Sequence, residues 1–239
     1  ISLTEAGARL YERCLRVAAE AHAAEAEGGH ASGRPTGLLR VSAPISFGQR
    51  RLAEPLAAFM AANPGVAVAL SLNDRAVDLI EEGVDVAVRI GSLKDSSLIA
   101  RRLGDVEIAT AAAPGYLDRA PPLKEPADLA GHKCLGYAYL EGGRQWTFQG
   151  PNGLVRRRFE PRLLANNGEV LAAAAVAGEG VVHMPRFILA DRLASGALVE
   201  RLEAFRPPPR GLFAVYPAGH APPPKTRAFV DFLAGARLI

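Results

Sequence analysis

The spacing of apolar residues changes along the chain, and each change predicts an element. Leu3, Gly7, Leu10, Cys14, Val17, Ala21 and Ala24 recur every three or four residues. That period predicts a helix over residues 4–27. Thr4 is a good N-cap, and Glu5/Arg9 and Glu12/Arg16 stand four apart on the other faces. A stripe this narrow suits a second helix packed against it; the alternative is a surface helix lying on its own domain. Residues 28–37, GGHASGRPTG, hold four glycines and a proline. They end the helix and read as a hinge, with a domain boundary near residue 37.

Beyond the hinge, strand and helix patterns alternate. Leu38–Ala43 reads as a buried strand, Leu52, Leu56, Phe59 and Met60 mark a helix distorted near Pro55, and Asn63-Pro64-Gly65 stops it. Val66–Leu72 alternates as a second strand. Asn73-Asp74 caps a short helix that ends at Gly83, and Val84–Ile90 is a third strand. Strand–helix–strand units of this length predict a parallel α/β sheet with right-handed crossovers. Ligands of such sheets sit beyond the carboxyl ends of the strands. Here those ends are Pro44–Phe47, Asn73-Asp74 and Arg89–Ser92.

Leu98–Leu103 and Val106–Ala112 are two more extended segments, and Pro114 marks a second change of character. Cys134–Tyr139 is a strand. Gly150-Pro151-Asn152-Gly153 predicts a hairpin turn between Trp146–Phe148 and Leu154–Phe159. Leu163–Ala165 then leads through Asn166-Asn167-Gly168-Glu169 into an Ala-rich helix, Val170–Ala177. One of the two asparagines caps it. Gly178 and Gly180 suit a turn at positive φ, and Val181–Pro185 leaves as a strand. A helix over Ile188–Ser195, strands over Leu198–Leu202 and Leu212–Tyr216, and a helix over Lys225–Leu233 complete the chain.

Composition narrows the function classes. The chain has 239 residues, 49% hydrophobic and 22% charged, with a net charge of +3. That is globular material with no demand for a polyanionic partner. Arg101-Arg102 and Arg156-Arg157-Arg158 read as solvated strand edges. The two cysteines, Cys14 and Cys134, fit a reducing cytoplasm rather than a disulfide framework. The five histidines show no metal-ligand spacing, and no nucleotide-binding or nucleophile motif is present. No run is apolar enough to span a bilayer, and no secretory pattern opens the chain. We therefore expect no cofactor, no metal, no catalysis and no membrane partner.

The residues carry a family resemblance. Ser2-Leu3-Thr4-Glu5-Ala6-Gly7, Gly37–Gly48, Leu79–Gly91 with Asp95-Ser96-Ser97-Leu98, and Asn166-Asn167-Gly168-Glu169 together resemble the LysR-type transcriptional regulators. The resemblance covers essentially the whole chain. It implies a two-lobed effector domain with the fold of type II periplasmic binding proteins, preceded by a linker helix. The strands crossing between lobes would lie near Ala109–Pro114 and Leu212–Tyr216. Residues 1–37 would then be the end of a wing, linker helix and hinge, residues 38–112 plus 214–239 lobe I, and residues 113–213 lobe II. The resemblance further implies a small-molecule effector, a homodimer or homotetramer, and DNA contact through a winged helix-turn-helix before residue 1. A transport solute-binding protein of the same fold is the alternative.

The effector-binding positions implied are Ser46, Phe47, Asp74, Arg89, Ile90, Gly91, Ser92, Asn166, Asn167, Pro185 and Phe187. Ser46 and Phe47 open a helix, where free N–H groups favour an anion, though Ser46 also suits a plain N-cap. Asp74 would repel an anion and needs no ligand if it caps a helix. Arg89, inside an apolar strand, needs an anionic partner, either a ligand carboxylate or a nearby acid. Pro185 and Phe187 would form an apolar wall. His183 reads as a satisfied strand histidine, and Met184 and Trp146 as core.

Overall fold

The computed structural model describes residues 34–75, 78–91, 98–140, 143–218 and 222–239, with isolated positions between Thr4 and Val17. Most of the helix expected over 4–27, and Gly28–Gly33 of the hinge, lie outside the described residues. At its start the Thr4 hydroxyl accepts from the Gly7 N–H at 3.2 Å, as an N-cap does.

Two sheets organise the rest. In the first, β1 (Gly37–Ala43) pairs in parallel with β2 (Val66–Leu72) and β3 (Val86–Ile90). A continuous helical run joins β1 to β2: α1 (Ile45–Phe47), a π-helical segment (Gly48–Leu52) and α2 (Ala53–Ala62). Pro55 has no N–H for the usual α bond four residues back, and the run widens to a π turn just before it. The helix expected over 74–83 is not formed among its described residues. Leu79–Gly83 is a turn, because the Asp78 carboxylate takes the Ile80 and Glu81 N–H groups locally.

Strand β4 (Leu98–Val106) closes this sheet and β5 (Ile108–Ala112) begins the second, so the chain crosses at Glu107. Short α3 (Pro114–Leu117) follows. Strand β6 (Cys134–Tyr137), the hairpin of β7 (Gln145–Gly150) with β8 (Gly153–Arg158), and β9 (Pro161–Ala165) come next. Then α4 (Gly168–Val176), β10 (Val182–Pro185), α5 (Arg186–Ala194) and β11 (Val199–Arg201) complete the second lobe. β5 lies between β10 and β11, and a Cys134–Val181 bridge joins β10 to the parallel pair β6–β9. A Cβ at Gly180 would strike the Lys133 carbonyl beside that bridge, and its φ of 152° also favours glycine.

The chain returns through β12 (Arg210–Pro217), antiparallel between β3 and β4. Helix α6 (Pro224–Gly235) then packs on α2, with Phe59 ringed by Phe229 at 5.0 Å and Phe232 at 5.5 Å. The sheet partners thus change on either side of Glu107 and before Arg210. Residues 108–112 pair in the second sheet and 210–213 in the first. Only Glu107 separates β4 from β5, so the chain crosses just past the Gly104-Asp105 break in the apolar pattern.

Candidate functional site

A cleft of about 830 Å³ opens where the two sheets face each other. From the first lobe come the residues after β1 (Pro44, Ser46, Phe47), after β2 (Asn73, Asp74, Arg75) and at the end of β3 (Arg89, Ile90, Gly91). These are carboxyl ends of parallel strands, where free backbone groups and loops converge. From the second lobe come Tyr137 at the end of β6 and Tyr139 beyond it, Gly168 at the start of α4, His183 to Pro185 on β10, and Phe187 and Ile188 on α5. Arg210, at the start of β12, also lines it.

Eight expected positions meet here: Ser46, Phe47, Asp74, Arg89, Ile90, Gly91, Pro185 and Phe187. Ser92 lies outside the described residues. Neither asparagine lines the cleft. The Asn167 side chain caps α4 by accepting from Glu169 and Val170 N–H groups, Asn166 is exposed, and the neighbouring Gly168 faces the cavity.

The polar groups have distinct partners. The Asp74 carboxylate accepts from the Ile45 N–H at 2.8 Å, capping the helical run from a distant strand end. The Tyr137 hydroxyl of the second lobe faces the same carboxylate; burial first, then this negative neighbour, pushes the hydroxyl pKa well up. Arg89 donates to the Val88 carbonyl at 2.9 Å and the Ser42 hydroxyl at 3.3 Å. Burial pulls its pKa down. The Ser46 hydroxyl is buried and has no partner. Phe47 and Phe187 meet edge to face across the lobes, 5.9 Å between centroids.

His183 is held as sequence reasoning expects. Its Nδ1 lies 2.9 Å from the Thr110 hydroxyl, and its ring stacks on Trp146 and tilts against Phe148. Burial, with the Arg210 charge, pushes its pKa down to about 3, so it is neutral near pH 7.

One rim of the cleft is bridged by charge. Arg50 forks onto Glu169 (2.6 and 3.1 Å) and reaches Asp191 at 2.7 Å, while Arg192 meets Glu169 at 3.1 Å. Arg50 belongs to the first lobe and the other three to the second. Sequence reasoning missed this bridge, Tyr137 and Arg210. Tyr137 ends a parallel strand, so the strand-end rule could have found it; an arginine opening the apolar run Leu212–Tyr216 was the signal for Arg210.

Among the described residues no group of three or more His, Cys, Asp or Glu side chains could hold a metal, and no helix could cross a membrane. Residues 32–237 match the LysR substrate binding domain family. PtxR, an HTH-type transcriptional regulator of Pseudomonas aeruginosa, is 34% identical over 98% of this chain and 75% of its own length. AaeR, a transcriptional activator of Escherichia coli K12, is 30% identical over 98% and 75%. The full-length structure of AphB, the Vibrio cholerae virulence activator, superposes with a TM-score of 0.78 at 30% identity, covering 99% of this chain and 81% of that one. CrgA of Neisseria meningitidis gives 0.74 at 32% identity, covering 98% and 79%.

Proposed function

Because the chain belongs to the LysR-type transcriptional regulators and carries their two-lobed, periplasmic-binding-protein-like effector-binding domain, we propose that the cleft described above is its sensor for a small organic anion. The lobes would be residues 37–106 with 210–239, and residues 108–201. The relatives regulate transcription, which favours this reading over transport or catalysis. The observation that carries it is convergence: Ser46, Arg89, Gly91, Pro185 and Phe187, drawn from both lobes, line one cavity. Its volume suits a metabolite-sized molecule. Lobe closure about two strand crossings is a hinge motion with discrete states, and a ligand shifts them only by its difference in affinity, typically ~1–3 kcal/mol.

Oligomerisation and DNA complete the proposal. Leu10 and Val17 of the linker helix are 63% and 68% exposed within one chain, which supports pairing with a second copy. DNA would be read by an N-terminal domain before residue 1, in the cytoplasm. Residues 1–239 alone should then sediment as a dimer or tetramer and lack operator-selective DNA binding. The test of the sensor is a thermal-shift screen of organic acids followed by chemical-shift mapping. Shifts confined to cleft residues support the reading; a ligand seated on one lobe away from them refutes it.

A further inference from the structure

The two polar ends of the cleft are not alike. At the start of the 45–62 helical run the first N–H, that of Ile45, already holds the Asp74 carboxylate, and the Tyr137 hydroxyl faces the same group from the opposite lobe. The protein's own carboxylate fills the position that an anion at the helix start would take. A ligand anion placed there would meet a like charge in a partly dry site, which is unfavourable.

The floor is the reverse. Arg89 on β3 is only partly exposed, and its side-chain acceptors among the described residues are neutral, the Val88 carbonyl and the Ser42 hydroxyl. A guanidinium has five N–H donors, so these leave capacity for a carboxylate. The acids whose charge reaches Arg89 are Glu82 and Asp74. Glu82 pairs with Arg75 at 3.4 Å, and Asp74 is engaged as above. Among the described residues neither comes within ion-pair distance of Arg89. Arg210 brings a second cation to the same cavity, beside Gly91. Neutral His183 adds no charge. The Ser46 hydroxyl, 4% exposed and without a partner, lines the same space. Around these groups the wall is apolar: Phe47, Ile90, Ile108, Met184 and Phe187.

We infer that the effector is a monocarboxylate with an apolar body, its carboxylate received by Arg89 on β3 and its body seated against Phe47 and Phe187. This rests on the cleft being the effector site. A planar carboxylate matches the guanidinium fork. A phosphate or sulfate ester would bring more acceptors than this apolar wall can satisfy.

The test is chemical-shift titration of the 1–239 chain with short aryl and alkyl carboxylates, each beside its amide and its amine. Acids should shift cleft resonances at millimolar concentration, with amides and amines ~10-fold weaker, the loss of one charge-assisted contact. Arg89→Gln should erase the preference for acid over amide. Arg89→Lys, which keeps charge but loses the fork, should weaken acids while the fold persists. Asp74→Asn should leave acid binding equal or stronger. Equal binding of acid and amide, discrimination retained in Arg89→Gln, loss of acid binding in Asp74→Asn, or no response to any acid would each overturn the inference. In those cases the sensor reading stands wherever amides or amines still shift the cleft. Shifts confined to one lobe outside the cleft would overturn both.

Discussion

Replacing Arg50 with alanine removes the strongest polar connection between the lobes. Its guanidinium makes a two-point contact with Glu169, and both side chains are about one-quarter exposed (24% and 25%). A charge-assisted pair of this kind is worth ~1.5–3 kcal/mol when well placed, less when water screens its edge. The Asp191 leg adds little, since that side chain is 80% exposed. Glu169 is not orphaned by the change, because Arg192 still meets it at 3.1 Å. The larger penalty for a stranded buried charge therefore does not apply. The net effect should be ~1–2 kcal/mol, a factor of ~5–30 in the ratio of closed to open lobes. Arg50 holds the Glu169 pKa below the usual carboxylate range. That stabilisation is present above the unfolded-state pKa and is lost as pH falls through the lower folded value. Small-angle scattering of the 1–239 chain should show a larger radius of gyration for Arg50→Ala at neutral pH. The unsubstituted chain should approach that radius near 1 M salt, where the Debye length is ~3 Å. An Arg50→Ala chain with the same radius and the same salt response would refute the reasoning.

Three further outcomes are expected. His183 has a folded pKa near 3 against an ordinary 6.5, so the unfolded chain binds more protons between those values. Stability should fall as pH drops from about 6.5, by at most ~1.4 kcal/mol per pH unit; denaturant midpoints across pH should show the slope, and His183→Gln should flatten it. Phe59→Ala should cost ~3–5 kcal/mol, because a fully buried ring between α2 and α6 leaves a cavity; a thermal melt reads it, and a loss under 1 kcal/mol would contradict the packing described. Gly180→Ala should destabilise by more than ~1 kcal/mol, since its Cβ meets the Lys133 carbonyl at a φ that L-residues avoid; an unchanged melting temperature would count against that geometry.

What sequence could and could not reveal follows from the range of each interaction. Strands and caps set by neighbouring residues were legible: the Gly150–Gly153 turn, the Asn167 cap, the Gly178 and Gly180 turns and the apolar β3 all follow local rules. The helix expected after Asn73 failed because Asp74 does not cap its own segment; it reaches back 29 residues to Ile45. The strand-end rule gathered most first-lobe cleft positions, since it depends only on chain direction. It could not foresee the Arg50–Glu169 contact, whose partners stand 119 residues apart, or Arg210, whose place depends on how β12 re-enters the first sheet. The crossing at Glu107 lies two residues past the Gly104-Asp105 break that divided the two expected segments, but no local rule says that such a break is a change of sheet.

The π-helical segment at Gly48–Leu52 has a consequence of its own. A π turn carries about one residue more than an α turn, so it resets the phase of the residues before it by roughly 100°. After it Leu56 and Phe59 point into the core; before it Ser46 and Phe47 line the cleft, and from within it Arg50 reaches the opposite lobe. One helical run thus carries two azimuthal settings, and the extra residue is the offset between them. Deleting a single residue there would restore an unbroken α phase. It would swing the cleft-facing end out of line, and the fully buried Phe47 with it. The length of this segment therefore couples the binding end of the run to its packing end, because Phe47 belongs to both.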